Sequence, residues 1–368
     1  MKKSNPSWSL NSVAVIGLGL IGGSFAKAVK KNLPDLTIGA FDFPEIQKIA
    51  LTDGVIDKRI ESIEEAVNYD LIYLALPTDL SLKMLQVIAP LLNESHLVTD
   101  VSGVKIEFHN LWNGISSKGS YVGGHPMTGK ERGGYVNSDP LLFENAVYIA
   151  TSDNNSIAEF PDFANLLSAI GATTIEMTAS EHDRVVARVS HLPQLLAVAL
   201  TLNAEDTIGE LRPLDFAAGG FRDMTRIASS DYTIWKSVLE LNRDAVLTEL
   251  SRIKELIVNL EQYVTKSDHK FLYNNFETAR KLRDEIPKSN KGFMSSLYEI
   301  YVYVVDKPGV IAEISGELFN AGLSIKDMEL LKIREGTGGT FRLSFDSYNT
   351  AVDAAEHLRS IGYEVTGV

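Results

Sequence analysis

Val13-Ala14-Val15-Ile16-Gly17-Leu18-Gly19-Leu20-Ile21-Gly22-Gly23-Ser24 is the stretch from which the fold is read. Its first residues are apolar without alternation, the pattern of a strand covered on both faces. A G-x-G-x-x-G spacing follows at once and opens an amphipathic helix, the context in which that spacing carries information. Gly17 allows a tight turn, Gly19 lets the backbone approach a pyrophosphate, and Gly22 permits close helix–strand packing. The free N–H groups and positive dipole end of the helix then face the phosphates. The expected cofactor contacts are Gly17, Leu18, Gly19, Leu20, Ile21 and Gly22. Asp42 ends the next strand, a little beyond the ~20 positions of the general pattern. A carboxylate there accepts hydrogen bonds from ribose hydroxyls and repels a 2′-phosphate, which favours NAD over NADP.

Working outward, Leu36–Phe41, Leu71–Leu76 and Leu97–Val101 repeat the buried-strand pattern. Helical stretches lie between them at Leu20–Lys31, Pro44–Thr52, Leu80–Leu91 and Val104–Asn113. Strand and helix in alternation predict an α/β, doubly wound Rossmann-type domain over residues 1–178. Further strands are expected at Tyr121–Gly123, Ala146–Ala150 and Thr173–Met177. Strand signals then stop. Helical patterns at Glu181–Ala204, with Pro193 as an expected kink, and at Ile234–Val264 predict an all-α domain over 179–290. These helices are too apolar to stand alone and are expected to pack on each other and on a second subunit as a homodimer. Pro287–Phe293 reads as a linker. Elements at Leu297–Val305, Val310–Ala321, Ser324–Ile333, Thr340–Ser344, Thr350–Ser360 and Tyr363–Val368 predict a ferredoxin-like βαββαβ domain over 297–368.

The chain has 368 residues, a formal net charge of −13 and no cysteine. The acidic balance gives no electrostatic reason to bind nucleic acid or an anionic membrane surface. Disulfides, thiolate metal sites and a cysteine nucleophile are excluded. No uninterrupted apolar run reaches the ~18–20 residues of a membrane span, and Met1–Asn11 lacks the apolar core of a signal peptide, so a cytoplasmic protein is expected. No His/Asp/Glu cluster has metal-ligand spacing, and no metal is expected.

Four further segments matter together: Asp100-Val101-Ser102-Gly103-Val104-Lys105, Gly123-Gly124-His125-Pro126-Met127-Thr128-Gly129-Lys130-Glu131, Ser190-His191-Leu192-Pro193, and Gly219-Gly220-Phe221-Arg222-Asp223-Met224-Thr225-Arg226-Ile227-Ala228. With the glycine turn, they resemble the prephenate/arogenate dehydrogenase family over about residues 11–290. The resemblance implies hydride transfer from C4 of prephenate to NAD⁺ while the ring carboxylate leaves as CO₂. It assigns His125 to the C4 hydroxyl, where a neutral imidazole suits proton acceptance near neutrality. It gives Ser102 a hydrogen bond to that hydroxyl or to His125, against the alternative of capping a helix from Gly103. Arg226 is implied to hold a substrate carboxylate as a bidentate fork, the alternative being a pair with Asp223 or Asp231. His191 is implied to line the substrate pocket. Glu131 is implied to gate it, and Trp235 to reach the neighbouring subunit's site. Lys105 reads equally as a structural residue. Gln194 stands where the family often has a second histidine, which puts a role there in doubt. Arogenate, with an amine in place of the keto group, stays open as substrate. A 3-hydroxy-acid dehydrogenase would need a catalytic lysine that the matched motifs lack, and a catalytically dead amino-acid sensor would not need His125, Ser102 and Arg226.

Asp306-Lys307-Pro308-Gly309-Val310 and Asn320-Ala321-Gly322-Leu323-Ser324-Ile325 resemble an ACT domain. That resemblance implies tyrosine as a feedback effector, bound by Asp306, Pro308, Gly309, Val310 and Asn320. A dimerisation module without ligand is the alternative.

Overall fold

The computed structural model describes residues 9–130, 132–285, 297–305, 307–334 and 338–367. The chain divides into two compact units, Met1–Leu272 and Tyr273–Val368.

The first unit begins with β1 (Ser12–Ile16), α1 (Leu20–Asn32), β2 (Thr37–Phe41), α2 (Pro44–Thr52) and the short β3 (Lys58–Arg59). It continues through β4 (Leu71–Leu74), α3 (Thr78–Ile88), β5 (Leu97–Asp100), α4 (Ile106–Gly114) and β6 (Ser120–Tyr121). These strands form one sheet in the order β3-β2-β1-β4-β5-β6, with every pairing parallel. Both faces are covered, as the unalternating apolar runs require. Val13 and Val15 pack with Phe25 of α1 on one side, while Ala14 and Ile16 pack with Leu85, Ile88 and Phe108 of α3 and α4 on the other. The order reverses between β1 and β4, so the crevice at their carboxyl ends is the ligand position of this architecture.

A single strand was expected at Tyr121–Gly123. The chain instead leaves the large sheet after β6 and starts β7 (Gly123–Pro126), which heads a second sheet with β8 (Val147–Thr151) and β9 (Thr173–Met177); α5 (Pro161–Ala169) lies between the last two. The change of sheet at Val122 brings His125 to the edge of the crevice.

The helical part opens with α6 (Ala179–Val186), a π turn (Ala187–His191) and α7 (Leu192–Asn203). Pro193 explains the π turn. It cannot donate to the carbonyl four residues back, and the ladder adapts with Leu192 N–H donating to the Ala187 carbonyl. Together α6 to α7 form one 25-residue helix, long and apolar enough by composition to cross a membrane. No apolar run of that length was expected; this helix reaches it by composition although Arg184, Arg188 and His191 lie within it. The same helix carries the buried polar residues His182, Asp183, His191 and Gln194.

After α8 (Gly219–Thr225) and a 3₁₀ turn (Arg226–Ser229), the single helix expected over Ile234–Val264 is two: α9 (Tyr232–Leu241) and α10 (Arg243–Thr265). Asn242 breaks them apart at φ −108°, ψ 27°, with its side chain turned inward. α11 (His269–Glu285) follows, and the expected linker Pro287–Phe293 lies outside the described residues.

The second unit contains β10 (Tyr298–Val304), α12 (Val310–Asn320), β11 (Asp327–Arg334), β12 (Gly338–Phe345), α13 (Tyr348–Ser360) and β13 (Glu364–Gly367). The sheet runs β11-β12-β10-β13 with antiparallel pairings, the ferredoxin-like order. Ile300, Val302, Leu318, Leu343, Phe345 and Leu358 fill its core.

Candidate active site

The glycine turn meets the demands of a pyrophosphate cradle. Gly17 has φ +98°, and a Cβ there would lie 2.6 Å from the Ala75 carbonyl oxygen. A Cβ on Gly22 would sit 1.9 Å from the Gly17 oxygen, so the α1 helix can approach the strand only because Gly22 has none. Gly19, by contrast, faces open space within 4 Å, and among the described residues no side chain caps the helix it begins. That leaves the first N–H groups of α1 for an anion. Asp42 lies at the end of β2, where its carboxylate accepts from Leu18 N–H at 2.5 Å and Phe43 N–H at 2.6 Å. These bonds tie it to the glycine turn, and a carboxylate has lone pairs left for ribose hydroxyls.

Across the crevice, Asp100 ends β5 and organises a fully buried polar cluster. It accepts from Tyr121 OH at 2.8 Å and Ser102 N–H at 2.8 Å, and pairs with the ammonium of Lys105. Lys105 is therefore an internal structural cation. Burial pulls its pKa down, and Asp100 opposes that shift. Ser102 does not cap a helix, because α4 starts later with Lys105 at its N-cap. The Ser102 hydroxyl is buried without a hydrogen-bond partner among the described residues. An orphaned buried hydroxyl is costly unless a ligand engages it.

His125 stands beside this turn. A Cβ on Gly103 would lie 3.7 and 3.8 Å from its Cε1 and Nε2 atoms, so the Nε2 edge faces the Ser102–Gly103 backbone. The opposite edge enters a chain of hydrogen bonds absent from the sequence reading. His125 Nδ1 is 2.8 Å from His182 Nε2, and His182 Nδ1 is 2.7 Å from Asp183 Oδ1. Asp183 also accepts from Lys105 N–H at 2.8 Å and Ile106 N–H at 3.0 Å, which caps α4 from a distant helix. A carboxylate only accepts, so His182 carries its proton on Nδ1 and its neutral Nε2 accepts from His125 Nδ1–H. The network thereby leaves the lone pair of His125 on Nε2. Burial holds the His125 pKa well below the usual histidine range, and the Lys105 ammonium and the neighbouring His182 and His191 rings, which disfavour a second cation, push the same way. His182 is lowered for the same first reason, with Asp183 opposing.

His191 is buried at the end of the π turn. Desolvation pulls its pKa to about 4. Its Nδ1 lies 3.2 Å from Asn242 Nδ2, and Trp235 packs edge-on against its ring at 5.9 Å. Trp235 thus meets a site histidine of its own chain. Arg226 is exposed on the 3₁₀ turn. Gln194, which the sequence left in doubt, anchors that turn by donating to the Ile227 carbonyl at 3.0 Å. Glu131 lies outside the described residues. His182, Asp183 and Asn242 were missed in the sequence, although a His-Asp pair in an otherwise apolar helix was an available signal.

In the second unit a cavity of about 480 Å³ is lined by Val304, Lys307, Gly309, Val310, Leu330 and Phe341 among others. Gly309 and Val310 are there as expected, but Pro308 and Asn320 are not among the lining residues. Gly309 and Asn320 stand at opposite ends of the 11-residue α12. At ~1.5 Å rise per residue that is too far for one small ligand to touch both in one chain. Asp306 lies outside the described residues.

A glycine cradle at a parallel-sheet crevice and a polarised imidazole beside it define a nucleotide-dependent oxidoreductase. Two family profiles cover most of the first unit: "Prephenate dehydrogenase, nucleotide-binding domain" over residues 25–176 and "Prephenate dehydrogenase, dimerization domain" over 178–278. A prephenate dehydrogenase of Bacillus subtilis (strain 168) is 36% identical over 350 residues, spanning 92% of each chain. One from Lactococcus lactis subsp. cremoris (strain MG1363) is 34% identical, over 94% of this chain and 97% of its own. The solved structure of prephenate dehydrogenase from A. aeolicus, in complex with hydroxyphenyl propionate and NAD⁺, superposes with a TM-score of 0.69 at 26% identity, covering 76% of this chain and 100% of that one. The chain belongs to the prephenate dehydrogenase family.

Proposed function

We propose that the chain catalyses prephenate + NAD⁺ → 4-hydroxyphenylpyruvate + CO₂ + NADH, with His125 Nε2 receiving the C4 hydroxyl proton. The single observation carrying this assignment is the His125–His182–Asp183 chain, which supports an unprotonated Nε2 on the ring edge beside the Ser102–Gly103 turn. NAD⁺ supplies the hydride acceptor when bound, held by the Gly17–Gly22 turn with Asp42 at the ribose. Ser102 donates to or accepts from the C4 hydroxyl, matching its unpartnered side chain. Arg226 binds one substrate carboxylate, and the family resemblance gives Glu131 a gating role. His191 and Trp235 line the end that takes the pyruvyl group. As the hydroxyl proton moves to His125 and hydride leaves C4, the ring carboxylate departs as neutral CO₂, its bonding electrons make the ring aromatic, and the C4 oxygen takes the proton back from His125 as the phenol.

The helical part is proposed to form a homodimer over residues such as Val189, Leu202, Met224, Ile234, Leu256 and Ile257, large apolar side chains left exposed. The second unit is proposed to be an ACT domain that binds tyrosine in the cavity beside Gly309 and Val310, giving feedback control. The βαββαβ order supports this, as does the extent of the Bacillus and Lactococcus matches. Aligned stretches of 350 and 353 residues reach into the C-terminal unit.

NADH formation at 340 nm with prephenate and with arogenate tests the reaction. His125→Asn should lower kcat by about 10²–10⁴, the span of a lost acid–base group. Near-normal turnover in that variant would remove His125 as the base, and a higher kcat/KM with arogenate would overturn the substrate.

A further inference from the structure

We propose that Asn242 is a positioning residue that fixes the proton of the His191 ring on Nε2, so that the ring offers substrate a hydrogen-bond donor and selects an oxygen acceptor over an ammonium group at that point. This rests on the proposed placement of His191 at the pyruvyl end of the substrate.

Asn242 interrupts the helical pattern between α9 and α10, and its buried amide sits between two partners. Its Nδ2 donates to the main-chain carbonyl of Asp183 at 2.8 Å. A carbonyl can only accept, so the amide is oriented with its NH₂ inward. The second N–H of that group is 3.2 Å from His191 Nδ1, which must then be the acceptor. A neutral imidazole with a bare Nδ1 carries its proton on Nε2. Burial keeps the ring neutral down to about pH 4, so this assignment holds at neutral pH. Trp235, at 85° to the ring, confines its rotation. His191 Nε2 makes no hydrogen bond to the described residues and is left for substrate.

Asp183 thus sets two imidazoles to opposite polarity. Through its carboxylate and His182 it leaves His125 Nε2 as an acceptor. Through its carbonyl and Asn242 it makes His191 Nε2 a donor. A keto or carboxylate oxygen satisfies that donor. A protonated amine in the same place would set N–H against N–H and leave both unpaired, the kind of mismatch on which sites discriminate strongly.

The first test is made on the unsubstituted full-length enzyme with ¹⁵N-labelled histidine. Long-range ¹H–¹⁵N correlation at pH 7.5, assigned by comparison with His191→Gln, should show His191 protonated at Nε2 and bare at Nδ1. The reverse pattern overturns the proposal, whatever the enzyme does with prephenate. Asn242→Asp then offers His191 Nδ1 an acceptor and should turn the ring over. The ratio of kcat/KM for prephenate to that for arogenate should fall about tenfold, the scale of one hydrogen bond gained or lost. An equal loss with both substrates means Asn242 only supports the fold and also overturns the proposal. If the variant does not fold, the spectrum of the unsubstituted enzyme decides. Failure of unsubstituted enzyme to turn over prephenate would refute the function itself, independently of the tautomer.

Discussion

Replacing His182 by leucine cuts the connection between His125 and Asp183 while keeping the buried volume close to that of the imidazole. His182 is fully buried, and its two nitrogens are bonded to His125 and Asp183. Asp183 would keep Lys105 N–H and Ile106 N–H as donors, so the start of α4 stays capped and the fold should hold. His125 would lose the acceptor of its Nδ1–H. A buried donor without a partner costs about 1–3 kcal/mol. The ring escapes that cost by moving its proton to Nε2, where it faces the substrate hydroxyl and cannot accept. Acting as a base then requires returning to the unpartnered form, and about 1–3 kcal/mol at tenfold per 1.36 kcal/mol corresponds to a kcat/KM loss of about 5- to 150-fold. Initial rates at 340 nm across pH 6–9 measure this. The loss should fall mainly on kcat and should persist at high pH, since the defect lies in where the proton sits and not in whether the ring is charged. Combining His182→Leu with His125→Asn should cost no more than His125→Asn alone, because both act through one nitrogen. A His182→Leu enzyme within twofold of wild type, or one restored by alkaline pH, would refute the relay.

Three further outcomes can be measured. Lys105→Met strands the fully buried Asp100 carboxylate and should cost about 3–5 kcal/mol, read as a large fall in Tm; an unchanged Tm would mean the pair is not internal in solution. Stability should fall on acidification, because His125, His182 and His191 all have folded pKa values below their unfolded value of ~6.5. The unfolded chain therefore takes up protons first, so stability is complete above pH ~6.5 and declines as pH drops toward 4 by up to about 1.4 kcal/mol per unit for each histidine; equal Tm at pH 7.5 and 5 would contradict it. Ala312→Trp should fill the cavity beside Gly309 and abolish inhibition by tyrosine while leaving uninhibited turnover within about twofold, a variant with unaltered inhibition placing the effector elsewhere.

Much of the fold was open to reading because burial leaves a periodic trace. β1, β2, β4 and β5 lie in a sheet covered on both faces, so their residues are largely apolar without alternation, and Val13 to Ile16 are all fully buried; the charged, exposed β3 (Lys58–Arg59) left no such trace. The glycine spacing was equally plain, since Gly17 and Gly22 answer to backbone contacts under 3 Å that no other residue tolerates. The split of the expected strand at Val122 was hidden, because both halves are buried and only the partner strand changes. His125, Ser102, His191 and Arg226 were singled out as candidates through motifs of sequence neighbours. His182, Asp183 and Asn242 escaped because their partners are far along the chain.

Those misses share a cause. The expected helix through Ile234–Val264 assumed that Asn242 was one more position on a regular face, and local propensity gave no reason to stop there. What stops it is a tertiary demand, the carbonyl of Asp183 and a bare nitrogen of His191 reaching for the same amide. The π turn beside Pro193 is the matching departure on the other side, because it seats His191 where a regular helix would have carried the ring elsewhere around the axis. Regular helices on either side would satisfy every backbone bond and leave the His191 ring without the Asn242 amide at its Nδ1. The irregularities cost local order at two points and bear on His191, while the His182–Asp183 chain on α6 sets His125 the opposite way. For a substrate that gives up a proton at one end and presents oxygens at the other, that opposition is what the chemistry requires.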